Sequence, residues 1–374
     1  LEVPVGELDF DLVHKQVRWW AEKIHAERDV LAELLTELAD YGTAHHQAVV
    51  APRAEKFLLF STEFHQAGRK RLVGGFADRL KGMLSCTLLS ILCDRVFLTE
   101  WLSPLPLVEH FDAPNIAWGA ISTVIGAVES DVFIVDAIDN ENFARFDQYL
   151  ECNHTTGAIF DGKLLAKIHT NILSIDRLLR KESLLRQTNF GRLLAQLCEK
   201  HSIQVVEREL VPLLFFYNLK YRPMREAVEM WRDFQSRRRA GPIIGVHFRS
   251  GGDGNWWDPI LDDVANATKV ASAIGKVAQQ RFDNAVVIFI ASDSTKFRAT
   301  LTDLISSQYS VISYTGQIHH YERSGGDALA DIDFAVLEFM CLSRCNYVIY
   351  GAGGYGSTAA LVGGRASSPY SLVE

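Results

Sequence analysis

The chain has 374 residues, 48% of them apolar and 22% charged, with 38 Lys and Arg against 46 Asp and Glu for a formal charge of −8. This composition excludes disorder and low complexity, and the acidic balance lacks the basic excess of a nucleic-acid binder. At this length two domains of ordinary size are expected, with ample chain to bury a core.

From Phe10 to Leu38, apolar residues such as Val13, Val17, Trp20, Ile24, Leu31 and Leu35 recur at three, four and seven. That spacing predicts an amphipathic helix, packed on the body of the protein or forming the seam of a homodimer. A turn is expected at Tyr41-Gly42, then a buried strand over Phe57 to Phe60 and a loop containing Gly68, Gly74 and Gly75. A helix from Asp78 to Leu92 and a strand from Val96 to Trp101 complete a β-α-β unit. Ser103 to Phe111 reads as Pro-rich loop, Val132 to Ala137 as a short strand, and residues 160–235 as helical. The run Arg237-Arg238-Arg239 before Gly241-Pro242 reads as a solvated linker at a domain boundary.

Beyond Pro242 the alternation is regular. Strands are predicted over Ile243–Phe248, Ala285–Ala291, Tyr309–Ser313 and Tyr347–Tyr350, and helices over Ile260–Phe282, Thr295–Ser306, Ala330–Ser343 and Tyr355–Val362. Continuous apolar strands alternating with helices imply a parallel sheet covered on both faces. The expected domains are therefore a helical segment 1–42, a less regular α/β domain 43–238 and a Rossmann-like domain 239–374.

The longest apolar stretch, Met83 to Cys93, is about half the roughly twenty residues that cross a bilayer. The chain opens on Leu1 without a basic-then-apolar leader, so an anchor could lie upstream. Cys86, Cys93, Cys152, Cys198, Cys341 and Cys345 fall mostly in apolar helical patterns and read as buried thiols. Reduced thiols favour a cytoplasmic location, with the secretory lumen as the alternative. No C-x-x-C or H-E-x-x-H cluster suggests a structural zinc. The sequons at Asn153 and Asn266 are short enough to arise by chance.

In open α/β sheets ligands bind beyond the carboxyl ends of the strands. The first such end delivers His247 and Arg249 into the loop Ser250-Gly251-Gly252-Asp253, where a permanent guanidinium beside glycine backbone suits a diphosphate. The second is Ser292-Asp293-Ser294, a polar tripeptide suited to cap the next helix or to contact a base or ribose, with Ser294 the expected cap in either case. The third carries Tyr314, which covers a nucleobase or is a plain loop aromatic. The fourth is the glycine loop leading through Gly354 and Gly356 to Ser357 and Thr358, aiming backbone amides and a helix N-terminus at an anion. It closes the domain's last strand-helix turn, which suits a nucleotide-sugar diphosphate better than a dinucleotide. In the first half, Gly75, Asp78, Arg79 and Lys81 surround the first turn of an apolar helix. Cations there oppose the helix dipole, which points to an anion across a cleft or to a salt bridge.

These segments together resemble the fucosyltransferase superfamily that includes the rhizobial nodulation α1,6-, core α1,6- and protein O-fucosyltransferases. Gly75-Phe76-Ala77-Asp78-Arg79-Leu80-Lys81-Gly82 matches the early G-x-x-(N/D)-R motif, and His247-Phe248-Arg249 the central H-x-R motif. Ala291-Ser292-Asp293-Ser294 and the run from Phe334 to Ser357 agree in order, so the resemblance spans residues 57–365 in islands. It implies a GT-B fold, two Rossmann-like domains facing across a cleft, and metal-independent transfer of fucose from GDP-fucose. Arg249 would bind the diphosphate, His247 would organise its loop, and Ser292, Asp293 and residues 354–358 would hold the guanosine and phosphates. The acceptor, a glycan or other hydroxyl compound, belongs to the first domain. Here Gly251-Gly252 separate Arg249 from Asp253, and Trp256-Trp257-Asp258 follow, a departure from the family's compact turn. For inverting transfer Asp253 is the first choice of base and Asp258 the second. The alternatives are a GT-B enzyme for another nucleotide sugar and an inactive relative that binds glycan or a partner. A metal-dependent D-x-D reading of Asp331-Ile332-Asp333 is set aside because these residues open an apolar helix that acids would cap.

Overall fold

A computed structural model describes residues 38, 40–49, 57–61, 63–66, 69–72, 75–92, 96–101, 106–119, 132–135, 157–160, 207–249, 262–314, 329–351 and 353–370. The chain divides into two compact units, Leu1–Gly74 with Asp78–Lys220, and Gly75–Ala77 with Tyr221–Glu374. The division at Lys220 precedes the expected boundary at 238/239. The helix before that boundary buries Phe234 edge-on against Phe289 of the second unit's sheet, 5.4 Å between ring centroids, and so belongs to that unit.

In the first unit, residues 40–49 are helical (α1), so the expected turn at Tyr41-Gly42 is absent. The glycine serves an approach instead: a Cβ there would stand 2.8 Å from the Tyr217 hydroxyl, which donates to the Leu38 carbonyl. Tyr41 Oη accepts from the Phe97 amide at 2.9 Å, and His45 Nε2 donates to the Phe97 carbonyl at 2.8 Å. Burial holds His45 neutral, its pKa lowered to about 4. The expected helix from Phe10 lies, apart from Leu38, outside the described residues.

Strand β1 (Phe57–Ser61), helix α2 (Phe76–Leu92) and strand β4 (Val96–Glu100) form the expected parallel unit, with Phe57 opposite Val96. The intervening segment is more ordered than the loop that was expected. It holds an antiparallel hairpin, β2 (Glu63–Gln66) with β3 (Arg69–Leu72). Only Ala67-Gly68 separates the two, the length of a tight hairpin connection. The Pro-rich stretch likewise contains a single helical turn α3 (Leu107–His110) and a two-residue strand β5 (Phe111–Asp112). Strands β6 (Val132–Val135) and β7 (Gly157–Phe160) complete a parallel sheet of order β4-β1-β7-β6. Helix α4 (Glu207–Asn218) buries Val211, Leu214 and Phe215, and a two-residue strand β8 (Lys220–Tyr221) interrupts the helical stretch predicted to reach 235, which resumes at Val228.

In the second unit the elements are α5 (Val228–Ala240), β9 (Ile243–Phe248), α6 (Asp263–Phe282), β10 (Val287–Ser292), α7 (Thr295–Ile305), β11 (Ser310–Ser313), α8 (Leu329–Arg344), β12 (Tyr347–Tyr350), α9 (Gly354–Val362) and β13 (Ala366–Pro369). The five strands are parallel in the order β11-β10-β9-β12-β13. All but β13 were legible as apolar runs; Ala366-Ser367-Ser368-Pro369 is too polar to announce a strand, and it lies at an edge. The arginine run is the last turn of α5 rather than a linker. Arg237 pairs with Asp233 at 3.1 Å and donates to the Ser310 hydroxyl, and cations at a helix C-terminus suit its dipole.

Strand periodicity divides the core. Ile244, Val246, Phe248, Ile288 and Ile290 are buried with α6 and α7 on one face, each worth about 1.5–3 kcal/mol of burial. On the opposite face Gly245 is so close to α8 that a Cβ would meet Cys345 Sγ at 2.8 Å. Asp262 caps α6 by accepting from the Val264 and Ala265 amides, and Ser294 caps α7 as expected, accepting from Phe297 N at 3.1 Å. The sequon residue Asn266 is buried in α6, where its amide donates to Asp262 O and accepts from Tyr370, so it is no glycan acceptor in the folded chain. Cys86, Cys341 and Cys345 are buried free thiols; Cys93, Cys152 and Cys198 lie outside the described residues.

Candidate functional site

Parallel pairing brings four strand ends to one edge of the second sheet. Ser292 pairs with Phe248, Ser313 with Ile290 and Tyr350 with His247, so Arg249, Asp293, Tyr314 and Gly351 each follow their strands on the same side. The central position belongs to β9, whose neighbours are β10 and β12.

His247 is buried, 4.9 Å between ring centroids from Tyr355, and the Gly351 amide donates to its carbonyl at 2.8 Å. Burial first, and the Arg249 charge second, lower its pKa to about 3, so the ring is neutral. It can shape the strand end without adding charge. The glycine loop is fitted around it: a Cβ on Gly356 would stand 2.8 Å from His247 Cβ and 2.9 Å from Tyr350 Cβ. Gly353, with φ of 91°, opens α9 without any side-chain cap, and Arg249 Cδ lies 3.8 Å from where its Cβ would be. The arginine stem therefore runs along the loop that starts α9, and a guanidinium and a positive helix end occupy the same neighbourhood.

The remaining residues at this edge divide into those turned inward and those at the surface. Ser292 is buried, its hydroxyl accepting from the Ser294 amide at 3.1 Å, whereas Asp293 is partly exposed. Ser357 Oγ donates to Gly354 O at 3.1 Å, and Thr358 is buried. Tyr314 stacks on Phe334 at 3.8 Å between centroids and 19° between planes. Arg298 donates to the Tyr314 carbonyl, its guanidinium 5.8 Å from the Tyr314 ring centroid. Beneath, Glu338 is buried, its pKa raised well above the usual range by burial against the pull of Arg298 and with the push of Asp293. Tyr355 donates to the Ala335 carbonyl.

Arg298, Phe334 and Glu338 were not singled out from the sequence. A signal existed for two of them: Arg298 shares the core-facing spacing of Leu301 and Ile305, and Glu338 interrupts the run Ala335-Val336-Leu337-Phe339. A charge at a core position is the informative exception. The rejected D-x-D is corrected in one respect: Asp333 is fully buried within α8 rather than capping it.

Gly75, grouped with the second unit, immediately precedes α2, and in the first unit Asp78 Oδ1 pairs with Lys81 Nζ at 3.2 Å. Arg79 is buried, its guanidinium 5.9 Å from the Trp101 ring centroid. Gly252, Asp253 and Asp258, with Trp256 and Trp257, lie outside the described residues. Among the described residues no group of His, Cys, Asp or Glu is placed to hold a metal, and no helix is long and apolar enough to cross a membrane.

A parallel α/β unit with a glycine loop and an arginine at its central strand ends is an open-sheet architecture, a class in which ligands sit beyond the carboxyl ends of the strands. The chain shares its fold with a fucosyltransferase, the Arabidopsis thaliana FUT1, solved as a mutant in complex with GDP. The TM-score is 0.54 at 14% identity, covering 89% of this chain and 78% of that one. The structures of NodZ α-1,6-fucosyltransferase with GDP (TM-score 0.47, 15% identity, 82% and 92% covered) and POFUT1 with GDP (0.43, 10%, 85% and 99%) are also similar. No family model and no curated protein matches the chain by sequence. The likeness inferred from the motifs thus holds at the level of fold, a mixed α/β architecture with parallel sheets like that of the plant enzyme.

Proposed function

We propose that this protein is a GT-B glycosyltransferase that moves fucose from GDP-fucose to a hydroxyl group of a glycan or other acceptor, with inversion and without a metal ion. The observation that carries the reading is Arg249 lying along the glycine loop at the N-terminus of α9, at the end of the central strand. A fold shared with a GDP-bound fucosyltransferase supports it. In this reading the diphosphate sits against Arg249 and the α9 amides. As the glycosidic bond to the β-phosphate breaks, the negative charge left on that phosphate is met by donors already in place, which lowers the barrier without a cation. Neutral His247 fixes the strand end. Asp293 and the Tyr314 ring receive the guanosine. Asp253, or failing it Asp258, takes the proton of the acceptor hydroxyl as its oxygen attacks the anomeric carbon from the opposite face. The first unit, which holds Asp78, Arg79 and Lys81, supplies the acceptor surface.

Calorimetric titration with GDP, GDP-fucose, GDP-mannose, UDP and UDP-glucose, each with and without EDTA, tests the reading. Selective, EDTA-resistant binding of GDP and GDP-fucose is expected. A preference for UDP or a loss of binding with EDTA overturns the donor assignment, and binding of none points to an inactive relative.

A further inference from the structure

We propose that Arg298 is a positioning residue for the nucleoside end of the donor, holding the Tyr314 ring against Phe334 at the edge of the second sheet. The proposal rests on the reading of that sheet end as a nucleotide-sugar site and adds a residue to it. Arg298 lies on α7 at the core-facing spacing of Leu301 and Ile305 and is 4% exposed. A charge so placed is costly unless it is paired and hydrogen-bonded. Its Nη1 donates to the Tyr314 carbonyl, a charge-assisted bond, and its guanidinium stands 5.8 Å from the centroid of the same residue's ring, within cation–π reach.

The sheet by itself gives Tyr314 little support. Tyr314 follows β11, an edge strand that pairs with β10 alone among the described strands, and that pairing ends at Ser313 opposite Ile290. Arg298 ties the backbone just past this end to α7, and from α8 the Phe334 ring stacks on Tyr314 at 3.8 Å and 19°. The ring is thus set from two helices that flank the strand. A planar guanidinium can serve the carbonyl and lie beside the ring at once, whereas an ammonium is a single point charge. Because Arg298 is buried, it acts through Tyr314 rather than by touching a ligand. It has a second effect that a test must separate: Glu338, raised by burial and by Asp293, is pulled back toward its charged form by Arg298.

The test is a double-mutant cycle read by calorimetric GDP binding, using Arg298→Met, Tyr314→Ala and the two combined, each checked for a cooperative thermal transition. Each single variant should weaken GDP by about tenfold. The double variant should bind no more weakly than Tyr314→Ala, because an absent ring cannot be positioned. GDP binding that Arg298→Met leaves intact overturns the proposal, as does a Tyr314→Ala variant that binds like the wild type. An Arg298→Met effect that persists in the Tyr314→Ala background also overturns it, placing the action at Glu338 or in the fold. A wild type that binds no GDP fails at an earlier point, overturning the nucleotide reading and this proposal with it. Should Arg298→Met not fold, Arg298→Lys takes its place in the cycle. A smaller loss, abolished by Tyr314→Ala, is then expected, and an undiminished affinity counts against positioning by the guanidinium.

Discussion

The two ends of the second unit's sheet both gather arginine, but onto helix ends of opposite sign. At the carboxyl edge Arg249 lies beside the N-terminus of α9, so cation and dipole add, and the loop between is glycine. At the amino edge Arg238 and Arg344 lie in the last turns of α5 and α8, where cation and dipole partly cancel, and the connections are short. The lesson is that one residue type does different work according to the backbone beside it. Arg249 adds positive potential where a ligand is expected, while the amino-edge arginines neutralise helix ends.

The strongest break of this contrast is Arg249→Ala. Transfer from GDP-fucose should fall by about a hundredfold or more, the scale of one preorganised charge donor, with the unfolding midpoint little changed. Near-native turnover in that variant sinks the assignment. Next is Gly356→Ala, whose methyl would press on His247 and Tyr350. Overpacking of this kind costs about 1–3 kcal/mol, and both stability in urea and GDP binding should decline; an unaltered urea midpoint would mean the loop yields freely.

Acid sensitivity sharpens the comparison between units. His247 is usually near 6.5 when exposed and is held to about 3 when folded, so the folded state disfavours its protonation. Its contribution is present above pH 6.5 and is lost as pH falls through that value toward 3. At pH 4.5 the loss is on the order of 2 kcal/mol, and His247→Asn should flatten that limb of a urea-midpoint profile. His45, held to about 4, adds a limb of the same sign from the first unit, separable with His45→Asn. If neither variant alters the profile between pH 6.5 and 4, the histidines are not the acid trigger. The smallest effect belongs to Arg237→Ala, which removes an exposed pair with Asp233 and a contact to Ser310. About 0.5 kcal/mol or less is expected by thermal unfolding, making it the control for the amino edge.

Much of the second unit was legible because its strands are unbroken apolar runs such as Ile243-Ile244-Gly245-Val246 and its helices begin at readable caps such as Ser294. The edge strand β13 was not, since edge positions need no apolar side chains on both faces. The helix at 40–49 was misread because Gly42 signals a turn locally, whereas it admits Tyr217 from far along the chain. At the candidate site His247, Arg249 and the glycine loop were legible from strand ends. Arg298 and Glu338 were passed over because a helical pattern shows which face is apolar without naming what a buried charge will meet.

Alternating apolar runs, glycine loops and one central H-x-R by themselves determined a parallel α/β architecture and the strand end at which an anion would be held, because side-chain periodicity and backbone freedom are local properties. Only the tertiary structure decided that Gly356 abuts His247 and that Tyr314 lies on Phe334. Those juxtapositions depend on strand order and on packing between segments far apart in the chain, which no local pattern specifies.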